Sequence, residues 1–369
     1  MNSEALIGTF FELVKIDSPS RAEAHVASFC ESYLKALGFS VRFDDSHHTT
    51  QSNTGNLIAS CEGTLPGHIM LSAHMDCVEP CRGIVPLIEN GRICSEGDTI
   101  LGADDKAGVA AILEALRSII SAQLPHPKIT VIFTTCEELS LLGASALSED
   151  IFADHAPCFV FDADGKPGTI IMGAPYHYSL EAKFCGKGAH AGVEPEQGIS
   201  TIQMAAHAIE HMHLGRLDER TTANIGMIEG GREVNIVPDT CIVRGECRSL
   251  HKNRVEEVKE EITQACKNAA AHFGGEVSLE WHLDYPGVLY DEDDPLVQAL
   301  VRAAHKVDLE PRFSISGGGA DTNVMSAKGA RAITLGIGMS AFHSFDEYIA
   351  VQDLEDITRF CEAIITSEI

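Results

Sequence analysis

Apolar, β-branched runs alternate with helix-period segments through the first half of this chain, and that rhythm limits its fold more than any other feature. NLIAS (56–60), HIMLSAH (68–74), KITVIFT (128–134) and CFVFDAD (158–164) read as buried strands. Residues 104–120 carry Ala, Val, Ile and Leu at helical spacing, and Leu139 to Leu147 reads as a short helix. Strands separated in this way form a mostly parallel sheet covered by helices on both faces. From about Tyr178 to Pro286 the rhythm changes. SLEAKF, TANIGMIEG, TCIVRGECRS and VSLEWHL read as strands around two helices, Ser200–His211 and Asn253–Phe273. After Pro286 the α/β pattern returns, with a helix over Pro295–Val307, a strand in ARAITLGIG and a closing helix over Asp353–Ile365. The expectation is a discontinuous α/β domain over 1–177 and 288–369, interrupted by an inserted α+β domain over 178–287.

Composition narrows the function. A chain of 369 residues with 44% hydrophobic and 22% charged residues can bury a full core. Its formal net charge of -27 repels phosphate backbones, so nucleic acid is not an expected partner. No apolar run approaches the length that spans a bilayer, and Glu4 and Glu12 interrupt the first residues, unlike a signal peptide. The expected location is the cytoplasm, with no membrane contact. The 12 cysteines include no CxxC pair. Cys136, Cys158 and Cys185 lie in apolar, strand-like runs and read as buried, reduced thiols.

The chemistry-bearing residues stand where strands end, which is where ligands gather in open α/β sheets. His74 and Asp76 follow the strand HIMLSAH. Asp104 and Asp105 open a helix, where carboxylates alone would read as capping groups. Glu137 and Glu138 close KITVIFT after two small residues, and such a like-charged pair needs a cation or a proton to offset it. Asp162 and Asp164 end CFVFDAD, and His343 lies in the loop GIGMSAFHSFDE after the last strand.

In that order, HMD, LGADDKAG, CEE, FDADG and a late histidine resemble the M20 family of dinuclear zinc peptidases, most of all its peptidase T-like members. GKGAHAGVEPEQG, TTANIGMIEGG, VNIVPD, CRSL and SGGGADTNV extend the likeness over nearly the whole chain. The resemblance implies two zinc ions per subunit, with cobalt or manganese able to substitute. His74 and Asp162 would hold one ion and Glu138 and His343 the other, with Asp104 between them. These are nitrogen and oxygen ligands suited to zinc, without a thiolate. Asp76 would orient His74, and Glu137 would be the general base. His190, in the GAHAG loop, would stabilise the oxyanion. Asn235 and Arg248 would grip substrate, Arg248 by pairing with a peptide carboxylate. Gly317, Gly318 and Gly319 would let backbone amides approach it.

The same resemblance implies that the insert is a ferredoxin-like lid that also forms a homodimer, with His190 acting in the partner's site. The implied activity is an aminopeptidase, tripeptidase-like exopeptidase acting on short peptides. The alternative is an N-acyl-amino-acid deacylase or desuccinylase with the same metals and base. The loop SISGGGAD has no arginine immediately beside it, where classical peptidase T has one, so peptide length stays open.

Overall fold

His68–His74 lies inside the larger sheet and pairs in parallel on both sides, with Lys128–Thr134 and with Pro157–Ala163. Six of its seven residues are buried, as are six of the seven in Lys128–Thr134. A strand covered on both faces has no polar side to show, which is why these runs are continuously apolar. The full computed structural model describes residues 2–367. Across the sheet the order is Ser40–Phe43, Leu57–Cys61, Lys128–Thr134, His68–His74, Pro157–Ala163, Arg331–Gly336 and Thr169–Ala174. The three inner pairings are parallel, and Leu57–Cys61 is antiparallel to both its neighbours.

Helix Ala103–Ser121 packs against His68–His74 and Pro157–Ala163, and helices Ser3–Lys15 and Val351–Ile365 pack on it in turn. Leu6, Phe10, Leu13 and Val14 put one apolar face of the first helix into this core. Asn2 caps that helix by accepting from Ala5 N at 3.2 Å. Neither this helix nor the hairpin Pro86–Glu89/Arg92–Ser95, whose strands are too short to give a pattern, is among the elements expected from the sequence.

A second unit has its own core and a five-stranded antiparallel sheet, ordered Gly215–Asp218, Thr221–Gly230, Thr240–Ser249, Tyr176–Cys185, Glu276–Tyr285. Helices Thr201–Glu210 and Lys252–Phe273 connect its long strands in a βαββαβ sequence. The first long strand lies between the third and fourth, which is the ferredoxin-like arrangement. Leu180, Ala182, Phe184, Val243, Val258 and Ile262 fill its interior. Gly274, at φ 74°, ends the long helix in the left-handed conformation that a side chain would oppose.

The first unit runs to Gly173 and resumes over Tyr290–Ser316 and from Ala320 onward; the second covers Ala174–Leu289 and Gly317–Gly319. The crossings therefore fall a few residues outside the 178–287 span, because the strand Tyr176–Cys185 starts earlier than its sequence pattern showed. One thiol also differs from expectation. Cys136 and Cys158 are buried, but Cys185 is exposed, since it ends its strand on the outward-facing side of the alternation.

Candidate metal centre

Three neighbouring parallel strands bring their carboxyl ends to one edge of the sheet. That register alone gathers His74, the Glu137–Glu138 pair and Asp162. The helix that starts at Ala103 adds Asp104, whose φ/ψ of -79° and 106° is not helical and lets the side chain leave the helix direction. His343 comes from a loop, at a φ of 60° that is unusual for a residue with a Cβ.

The distances describe one cluster. His74 Nε2 lies 2.9 Å from Asp104 Oδ1 and 3.6 Å from Asp162 Oδ1. His343 Nε2 lies 3.2 Å from Asp104 Oδ2 and 2.9 Å from Glu138 Oε1. Asp104 thus turns one oxygen to each histidine. Ligands about 2.0–2.1 Å from a tetrahedral ion are spaced roughly 3.3 Å apart, close to these separations. Ligand atoms of His74, Asp104 and Glu138 lie within 4.8 Å of one another, as do those of His74, Asp105 and Asp162. Asp105 already uses both oxygens, accepting from His74 N at 3.1 Å and Gly108 N at 3.2 Å, and so serves as a brace.

Asp76 is a second brace. Its Oδ1 accepts from Glu137 N at 3.0 Å, and its Oδ2 from Ser20 Oγ at 2.7 Å and Glu138 N at 3.3 Å. His74 Nδ1 lies 3.0 Å from the Asp76 main-chain oxygen and 3.4 Å from its carboxylate. The imidazole therefore donates mainly to the carbonyl, which leaves the Nε2 lone pair facing the cluster. Sequence reasoning missed Glu347, fully buried, whose carboxylate accepts from Gly102 N at 2.6 Å and Asp104 N at 3.0 Å. It also missed Asp321, which accepts from Thr134 Oγ1 at 2.5 Å. Neither had a signal beyond lying near a noted motif.

Charge in the cluster is unbalanced. Burial, reinforced by the neighbouring Asp162 carboxylate, pushes Glu137 and Asp105 well above the usual carboxylate range. Burial likewise pushes Glu138 up, and it raises Asp162 to about 7. Burial alone would lower His74, but its hydrogen bonds to Asp104 and Asp162 hold it well above its ordinary value. His343 is pushed up to about 10 by its bonds to Asp104 and Glu138. Protons are thus drawn into a place crowded with carboxylates, and a dication removes the same conflict. The donor set of two imidazoles and three or more carboxylates fits zinc, cobalt or manganese.

The remaining candidates lie in the second unit. His190 is exposed, and its Nδ1 accepts from Gly192 N at 3.2 Å, which leaves Nε2–H free to donate. Its loop is closed by Ala191 N donating to Asn235 O at 2.9 Å; Asn235 is exposed. Arg248 donates from Nε and Nη2 to Glu246 at 3.2 and 2.9 Å, and from Nη1 to Tyr285 Oη and Gly317 O, both at 3.3 Å. Its charge is already paired, and it holds the glycine-rich segment that contains Gly318 and Gly319. A Cβ on Gly319 would come within 2.5 Å of the Tyr285 ring, so that position requires glycine.

A sheet whose strand ends converge on histidines and carboxylates, interrupted by a ferredoxin-like insert, defines a class of metal-dependent hydrolase. The profile of Peptidase family M20/M25/M40 matches residues 70–367, and the chain belongs to that family. It is 40% identical to the uncharacterized protein YqjE of Bacillus subtilis (strain 168), over 99% of this chain and 98% of that one. The crystal structure of aminopeptidase PepT from Bacillus cereus ATCC 10987 is similar at 39% identity and a TM-score of 0.94, covering 99% of this chain and 98% of that one. A tripeptidase from Staphylococcus aureus subsp. aureus Mu50 is similar at 34% identity and a TM-score of 0.95, with the same coverage.

Proposed function

We propose that this protein is an aminopeptidase that hydrolyses the peptide bond after the first residue of short peptides, with two zinc ions per subunit. The observation that carries the reading is Asp104, whose two oxygens face His74 on one side and His343 on the other. Asp162 would complete the ligands with His74, and Glu138 those with His343. The two similar solved structures, an aminopeptidase and a tripeptidase, support the same substrate class.

When bound, two such ions supply Lewis-acid activation of water and of the scissile carbonyl. The protein does the rest. The Glu137 carboxylate takes the proton from the attacking water and returns it to the leaving amine. Asp76 holds the main chain of Glu137, so the base is carried by a fixed backbone. His190, with Nε2–H free, is the donor for the developing oxyanion, and Asn235 and the backbone amides at Gly318 and Gly319 bind the peptide. Arg248 contributes by fixing that glycine-rich segment.

The second unit would also make the homodimer, with His190 serving the partner's site. Thr221–Gly230 pairs along its length with Thr240–Ser249 but meets Gly215–Asp218 only at Thr221–Ala223, which leaves an edge. Met227 and Ile228 on that strand are 50% and 51% exposed. Among the described residues no helix is long and apolar enough to cross a membrane, and the twelve cysteines are unpaired, which suits a reducing cytoplasm.

A substrate panel separates this reading from the deacylase. The expected result is cleavage of a dipeptide and a tripeptide with free amino termini, and none of the N-acetylated tripeptide. Turnover confined to N-acetyl or N-succinyl amino acids would move the protein to the deacylase class.

A further inference from the structure

The second unit carries a histidine cluster that the peptidase chemistry does not use. The run HAIEH closes helix Thr201–Glu210 and places His207, Glu210 and His211 at positions i, i+3 and i+4. Those positions share one helix face. A ring nitrogen from each histidine and a Glu210 carboxylate oxygen all lie within 4.8 Å of one another. The two rings have centroids 4.2 Å apart. His211 donates Nδ1–H to the His207 carbonyl at 2.8 Å, so its Nε2 keeps a free lone pair. The ring of His207 stacks on His272 at 5.0 Å and 11° from parallel, with Phe273 at its edge, so the neighbouring helix Lys252–Phe273 fixes its orientation.

His207 and His211 line a cavity of about 800 Å³ whose wall also carries Glu257, Glu260 and Glu261. Arg254 pairs with Glu257 at 3.0 Å and with Glu261 at 3.2 Å, so Glu260 is the wall carboxylate that adds negative charge near the histidines. We propose that His207, Glu210 and His211 form a further binding site for a divalent first-row transition-metal ion. Two imidazoles and one carboxylate are a donor set that zinc accepts, with water completing the coordination. Magnesium and calcium, which take oxygen ligands, fit it poorly. The site shares no residue with the strand-end cluster and does not depend on how that cluster is read.

Zinc content tests the proposal. Wild-type protein, His211→Ala and Glu210→Gln are each dialysed against micromolar zinc, and bound metal per subunit is measured together with peptide hydrolysis. The expected result is one zinc ion more in the wild type than in His211→Ala, at equal rates of hydrolysis. Glu210→Gln, which replaces a charged ligand by a neutral amide, also lowers the bound zinc, with a loss of affinity larger than the 10–100-fold that groups merely orienting a ligand contribute. Both residues are exposed, so the variants fold. Equal zinc content in all three proteins overturns the proposal. So does a loss of zinc that lowers hydrolysis in parallel, because the missing ion would then be a catalytic one.

Discussion

Glutamine in place of Glu137 lowers kcat by about 10²–10⁴-fold and leaves the bound metal unchanged. The size follows from the proposed role: a positioned general base contributes about that factor, equivalent to roughly 3–5 kcal/mol of the barrier. The selectivity follows from the geometry. Glu137 is not among the carboxylates that face Nε2 of His74 or of His343; those are Asp104, Asp162 and Glu138. The amide cannot take a proton from water, yet it is close in volume and keeps the backbone bond to Asp76. Steady-state kinetics beside elemental analysis checks both halves. A variant that loses metal together with activity would make Glu137 a ligand instead of the base.

Removal of the Asp104 side chain has a different signature. Asp104→Ala loses both ions, whereas Asp162→Ala and His343→Ala each lose one. Asp104 is the only one of these carboxylates with an oxygen toward each histidine, so its removal opens both coordination shells. The affinity lost at each position exceeds the 10–100-fold typical of residues that merely orient ligands. Activity falls to the background. Counting metal per subunit after desalting distinguishes the three variants. Loss of a single ion from Asp104→Ala would place that residue in one coordination shell only.

How much of this was legible depended on the range of the interactions. The strands that deliver His74, Glu137 and Asp162 were readable because both their faces are buried, and apolar runs seven residues long have few other uses. The polar groups directly after them stood out for the same reason. Supporting contacts were not readable. Gly102 and Glu347 are separated by 245 positions, and only the closure of the last loop on the start of helix Ala103–Ser121 brings them together. Asp76 was recognised, but not the division of its work between a carbonyl that orients His74 and a carboxylate that carries two backbone amides. Arg248 shows the opposite limit. Its residue type suggested a carboxylate partner, but Glu246, two residues earlier on the same strand, already supplies one.

Restoration of activity by counted metal tests the central claim most directly. The protein is stripped with a chelator and zinc is added back stepwise while hydrolysis of a free-amine tripeptide is followed. The account predicts an inactive stripped protein whose activity returns and saturates as the strand-end cluster takes up two ions per subunit, in the wild type and in His211→Ala alike. Full activity in the stripped protein, or saturation of His211→Ala at a single ion, would contradict it.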